Sequence, residues 1–164
     1  MITLRKYTKD DASRLVQLAN NKNVSKYVTP RFPYPYTEQD SHWWLETGCK
    51  QDNAINRAIE YNSVFVGGAG LTPQNGWKSH IAEIGYWIGE EYWGKGIATE
   101  AIRQLTLLAK ATKKYNKLFA PVLGPNKASM RALEKNKFIL EGVFKQEVIK
   151  NEMYYDIYSY AKEC

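Results

Sequence analysis

Gly94 and Gly96 stand one residue apart in the run Tyr92-Trp93-Gly94-Lys95-Gly96-Ile97-Ala98-Thr99-Glu100-Ala101, directly after the acidic pair Glu90 and Glu91. Upstream lies an apolar and aromatic strand candidate, Ile81 to Ile88, and downstream a helix-forming sequence begins at once. Strand, glycine turn and helix together present free backbone N–H groups to an anion. The first turn of a helix leaves its amides unpaired, and the helix dipole adds partial positive charge there. The glycines remove side-chain bulk and permit backbone angles that other residues avoid, so a phosphate can approach closely. The competing account is that the pair only makes a tight turn, and for an isolated Gly-x-Gly that account is the stronger. The run lacks the spacing and the Lys-Ser/Thr ending of a P-loop, and the third glycine of a dinucleotide-binding turn.

A second segment is notable for its rings. YVTPRFPYPYT, from Tyr27 to Thr37, holds three prolines, which oppose helix and predict an ordered loop. Such a loop serves either as a hydrophobic lid over the core or as one wall of a substrate cleft. The isolated His42 and His80, and the cysteines Cys49 and Cys164, form no metal or redox motif.

The elements that must position these segments follow from patterning. Thr3 to Tyr7 reads as a first strand. Asp10 or Asp11 caps a helix to about Asn20 that turns Leu15, Leu18 and Ala19 to the core. Thr37, with Asp40 three residues on, opens a second helix that Gly48 stops. Arg57 to Glu60 and Val64 to Leu71 form a hairpin around Asn62 and Ser63, and Pro73 to Ser79 is a turn. After the glycines, Ile97, Ala101, Leu105 and Leu108 recur at helical spacing. Leu118 to Val122 is a short buried strand and Lys127 to Asn136 a helix. Phe138 to Phe144 and Met153 to Ala161 are closing strands joined near Lys150 to Glu152.

A chain of 164 residues with 44% hydrophobic and 24% charged residues suits one soluble domain, 1–164, with a real core. The net charge of +6 favours an anionic partner: nucleic acid, a membrane surface or a polyphosphate cofactor. The N-terminus is too polar for a signal peptide and no apolar run spans a bilayer, so the expected compartment is the cytoplasm, without a membrane partner.

Element order and motifs together resemble the GNAT superfamily of N-acetyltransferases over nearly the whole chain, in particular the branch that includes ribosomal-protein N-terminal acetyltransferases. The family's phosphate loop, Gln/Arg-x-x-Gly-x-Gly/Ala, falls on Trp93-Gly94-Lys95-Gly96-Ile97-Ala98, with Trp93 in place of the usual Gln or Arg. A second motif, Asn-x-x-Ser followed by Gly-Phe, is matched in GPNKASMRALEKNKF by Asn126, Ser129 and Phe138, with Lys137 replacing the glycine. The resemblance implies an α/β fold, a mixed and mostly antiparallel sheet flanked by helices. In it, Ile81 to Ile88 splays from the parallel strand Leu118 to Val122. It also implies acetyl-CoA as cosubstrate, no metal, and direct attack of a primary amine on the thioester without an acyl-enzyme.

The resemblance also distributes roles. Trp93, Gly94, Lys95, Gly96, Ile97 and Ala98 would hold the pyrophosphate. The backbone of Tyr86, Trp87 and Ile88 would pair with the pantetheine arm, and the Ile88 N–H would serve as oxyanion donor. Asn126 would bond the same arm, although an Asn before a helix is by itself a cap. Lys127 and Arg131 would meet phosphates, or else be solvated charges. The family's frequent acid tyrosine falls on Leu133, so Ser129 becomes the candidate to protonate the thiolate, its other role being an ordinary polar helix residue. Glu83 and Glu147 are candidate bases or solvent-facing strand residues. Phe32, Tyr34, Tyr36 and Trp43 would line an acceptor pocket for a peptide N-terminus, an aminoglycoside, a polyamine or another amine. Two other functions stay open. A basic nucleic-acid-binding module is opposed by scattered lysines and arginines and the lack of a recognised motif. A non-catalytic CoA sensor is kept in view by Leu133. A monomer or a homodimer fits either.

Overall fold

The computed structural model describes residues 1–51 and 53–164. Its sheet has seven strands: β1 (Ile2–Arg5), β2 (Ile55–Tyr61), β3 (Val64–Pro73), β4 (Ile81–Ile88), β5 (Lys117–Leu123), β6 (Ile139–Lys150) and β7 (Met153–Glu163). Their spatial order is β1-β2-β3-β4-β5-β7-β6, and every neighbouring pair is antiparallel except β4 and β5. The helices are α1 (Ala12–Ala19), α2 (Lys22–Ser25), α3 (Glu38–Glu46), α4 (Ile97–Thr112) and α5 (Lys127–Lys135).

Two apolar layers result from the two-residue alternation of strand side chains. Ala82, Ile84 and Ile88 of β4 and Leu118, Ala120 and Val122 of β5 are buried with α4 and α5. The opposite face, with Phe65 and the half-buried Trp87, packs on Leu15, Leu18 and Leu45 of α1 and α3. On α4 the buried stripe is Ile97, Ala101, Ile102, Leu105, Thr106 and Ala109, and Leu108 is only half-buried at its margin.

The parallel pair is short. β4 and β5 match only from Ile81↔Lys117 to Glu83↔Phe119, after which β4 stays with β3 and β5 stays with β7. Gly89 donates to Val66 and Gln74 to Ile81 across β3 and β4, so odd-numbered residues of β4 bond β3. The N–H and C=O groups of Ile84, Tyr86 and Ile88 therefore point into the opening beside β5. By the same reasoning Gly124, donating to Asp156, assigns even-numbered residues of β5 to β7. Pro121 is odd, so its missing donor falls on the side where no strand pairs, which is how a proline fits inside this sheet.

Several local expectations change. Asp11 does stand at the N-cap of the first helix, but its side chain makes no capping bond. Thr8 begins a 3-10 turn, Lys9–Asp11, and the Asp11 carboxylate instead accepts from the Thr8 N–H at 2.9 Å and from Arg5 at 2.6 Å. The one-turn α2 went unforeseen; Asn21 caps it, accepting from Asn23 and Val24. Thr37 and Asp40 do form a reciprocal capping box on α3. Asn62 and Ser63 both take positive φ (51° and 65°), as a two-residue hairpin turn requires. β6 runs on to Lys150 and bulges on the way: Lys145, Gln146 and Glu147 stand opposite Asp156 between the pairs Phe144↔Ile157 and Val148↔Tyr155.

Candidate active site

The glycine turn has the geometry an anion cradle needs. Gly94 and Gly96 both have φ 75°, in the left-handed region, and a Cβ at either would meet nothing within 4 Å. The space above both is therefore open to a ligand. Gly96 is the N-cap of α4 and supplies no side chain, so the first amides of the helix keep their donors. Side chains brace the turn from below. The Trp93 indole donates to the Ile88 carbonyl at 2.8 Å, Arg14 bonds Glu91 at 2.7 Å, and Asn21 and Asn23 each bond Glu90 at 2.7 Å. Lys95 lies over the Tyr92 ring at 4.9 Å and donates to the Glu91 carbonyl, so its ammonium is tethered beside the cradle. Asn136, buried, donates to Thr99 and Ala132 carbonyls at 2.9 Å and ties α5 to the first turn of α4.

On the helix side of the opening, the Tyr86 hydroxyl and Ser129 Oγ are 2.6 Å apart. Burial pushes the Tyr86 phenol up to about 12, against a smaller opposing effect of the Ser129 bond. Tyr86 thus keeps its proton at neutral pH, and either hydroxyl of the pair can donate to the other. Sequence reasoning used only the Tyr86 backbone; the signal for its side chain was strand parity, which turns Tyr86 toward α5 with Ile84 and Ile88. Leu133 is fully buried in the core. Asn126 Oδ1 caps α5 by accepting from the Ser129 N–H at 3.3 Å, which sets the hydroxyl-bearing residue in place. Arg131 is exposed, and Lys127 rests over the Tyr158 ring at 4.9 Å.

A cleft of about 880 Å³ lies on the other face of the sheet. Phe119, Pro121, Leu123 and Ile157 floor it, Tyr27 to Pro30 form one wall, and Phe144 to Lys150 contribute another. Lys150 clips the two walls together, donating to the carbonyls of Ser25 and of Val28. The bulge in β6, held by Gln146 donating to Asp156 at 2.9 Å, brings Glu147 into this lining. Glu83 shares the face of Ile81, which also lines the cleft. Burial holds its carboxyl above the usual value, partly offset by the charge of Arg31.

The structure brings Tyr86, Ser129, Ile88 and the glycine turn together around the opening, and Glu83 and Glu147 to its cleft side. The four aromatic residues expected in the acceptor wall lie elsewhere. Tyr36 is buried with α1 and α3, and the Phe32 ring packs on Tyr36 at 5.5 Å and on Trp87 at 5.2 Å. Trp43 is exposed on α3 beside Trp44, and Tyr34 is exposed outside the lining. The same loop does wall the cleft, but with its earlier residues, because its later rings complete the hydrophobic layer under β4.

Comparison with known proteins agrees with this architecture. Residues 1–139 match the model of the acetyltransferase (GNAT) domain. A putative ribosomal N-acetyltransferase, YdaF of Bacillus subtilis, is 28% identical over 98% of this chain and 90% of its own length. The crystal structure of MccE, a microcin self-immunity acetyltransferase in complex with acetyl-CoA and AMP, superposes with a TM-score of 0.83 at 25% identity, covering 99% of this chain and 92% of that one. RimL, a ribosomal α-N-protein acetyltransferase in complex with coenzyme A, shares the fold with a TM-score of 0.87 at 22% identity, over 99% and 93% of the two chains. Fold, glycine turn and family match lead to one assignment: the chain belongs to the GNAT family of N-acetyltransferases.

Proposed function

We propose that this chain, as a single domain, moves the acetyl group of acetyl-CoA to a primary amine by direct attack. The observation that carries the reading is the opening between β4 and β5, with an acid on the helix side and carboxylates on the cleft side. The pyrophosphate sits on the amides of Trp93 to Ala98, and the pantetheine amides pair with the freed backbone of β4. The amine enters from the cleft and attacks the thioester carbon; the C–S bond breaks and sulfur leaves toward α5. Ser129 gives its proton to the thiolate and takes one from Tyr86, which recovers its own from solvent. Glu147 receives the incoming ammonium, which gives one proton to water before attack, and Glu83 accepts the second amine proton, directly or through water, and releases it to solvent.

Spacing refines the oxyanion donor. Glu83 and Ile88 are five residues apart, or ~17 Å along an extended strand, farther than a glutamate side chain reaches. The Tyr86 N–H points into the same opening ~10 Å from Glu83, so it takes the thioester oxygen and Ile88 holds the arm. The relatives named for ribosomal-protein acetylation support a protein N-terminus as one acceptor class. The thiols of Cys49 and Cys164 are free, which supports a cytoplasmic site of action; no helix among the described residues is long and apolar enough to cross a membrane. The test is thiol release from acetyl-CoA across an amine panel: amine-dependent thiol release is expected, and CoA binding without turnover on any amine would leave only a CoA-binding protein.

A further inference from the structure

The cleft carries a charge pattern that acetyl transfer does not itself require. Its floor is apolar, and Lys78, Lys117 and Lys150 outnumber the lining carboxylates Glu141 and Glu147. Lys117 and Glu141 cancel in an ion pair of 2.7 Å. Lys150 is turned onto main-chain carbonyls, which hold it in place but leave its charge positive. Glu147 is then the one lining carboxylate without an ion-pair partner among the described residues. The nearby Glu83 already lies within the field of Arg31.

One free carboxylate matches one ammonium. A polyamine or an aminoglycoside brings several, and each further ammonium would meet the like charge of Lys150 beside the apolar walls or, at the exposed rim, that of Lys78, whose repulsion solvent weakens. An uncharged body instead gains from covering Phe119, Leu123 and Ile157. We propose that the acceptor is a primary amine with a single positive charge on an apolar body, its ammonium received by Glu147, and that the lysines of the cleft select against polycations. This rests on the acetyl-transfer reading of the same site.

The experiment uses the full chain with acetyl-CoA and measures initial rates of thiol release. Acceptors are peptide amides that share an N-terminal alanine: Ala-Leu-Phe-Leu, Ala-Ser-Gly-Ser and Ala-Lys-Arg-Lys, with spermidine as a fourth. The expected order of kcat/KM is apolar, then polar, then basic, with about 10- to 100-fold between the ends. Lys78→Glu should raise the basic peptide at least about fivefold relative to the apolar one. Equal use of the basic and apolar peptides, or preference for spermidine, overturns the proposal. So does acetyl-CoA binding by calorimetry with no peptide acetylated, which leaves the cofactor reading standing. Failure to bind acetyl-CoA removes both.

Discussion

Replacing Ser129 by alanine while keeping Tyr86, and the reverse, tests the proton path to sulfur. Alanine at 129 removes the proposed acid, and a positioned general acid contributes about 10²–10⁴ in rate. Tyr86→Phe removes one bond, the 2.6 Å contact with Ser129 Oγ. A neutral hydrogen bond contributes about 1 kcal/mol, which is roughly fivefold in rate. The expected result is a fall of kcat by at least about 100-fold for Ser129→Ala and about fivefold for Tyr86→Phe, with the KM for acetyl-CoA little changed in either. In the double variant the Tyr86 effect should vanish, because two members of one relay are not additive. The phenol is pushed up to about 12, so it introduces no basic limb across the ordinary assay range. Steady-state kinetics of the four proteins, with circular dichroism as a folding control, give the answer. Wild-type turnover in Ser129→Ala, or a full fivefold loss for Tyr86→Phe in the alanine background, would refute the relay.

Three further variants test the same geometry. Glu83 is held above its usual value by burial, and a base works only when ionised. Turnover should therefore fall as pH drops through that raised value, and Glu83→Gln should flatten this acidic limb and lower kcat about 100-fold. Glu147→Gln should act mainly by raising the acceptor KM; unchanged kinetics in both variants would remove both carboxylates from the mechanism. At the cradle, Gly96→Val meets open space but a φ of 75°, a strain of about 1–2 kcal/mol. Calorimetry should show a folded, somewhat less stable protein with CoA affinity reduced at least about tenfold, and intact affinity in the folded variant would dislodge the pyrophosphate from this turn.

The parts of the candidate site that are legible in the sequence are those encoded in contiguous backbone. The cradle needs only glycines, a preceding strand and a following helix, all within Ile81 to Ala101. Leu118 to Val122 was legible as a buried strand because it is too apolar for a surface element, and its pairing with Ile81 to Ile88 came from the family resemblance. Contacts between distant residues were not. Tyr86 and Ser129 are 43 residues apart, and their meeting depends on how α5 crosses β4. The bulge that turns Glu147 inward depends on pairing with Asp156, which no local pattern marks. The rings expected to line a pocket fall outside the cleft for a related reason. Aromatic content identified the right loop, yet burial under β4, which claims Phe32 and Tyr36, is decided by α1 and α3 together.

At the opening between β4 and β5, groups from both faces of the sheet can reach the same atom, so closing it should disable the enzyme without touching a reactive side chain. Pro121 lies on β5 just beyond the last parallel pair, Glu83↔Phe119, and its missing N–H would point at β4. Pro121→Val restores that donor with little change in bulk. The new N–H can extend the parallel ladder toward the Ile84 to Tyr86 backbone, competing with the pantetheine amides for the same groups. One such bond contributes about 1 kcal/mol, close to the entropy that loss of a proline returns to the unfolded chain, about 0.4–1 kcal/mol. Stability should therefore stay near that of the wild type. The KM for acetyl-CoA should rise roughly fivefold, with the pyrophosphate fragment alone binding as before. A variant with wild-type KM would show that the gap is kept open by the packing of β4 on β3 and of β5 on β7, and that the proline is only tolerated there.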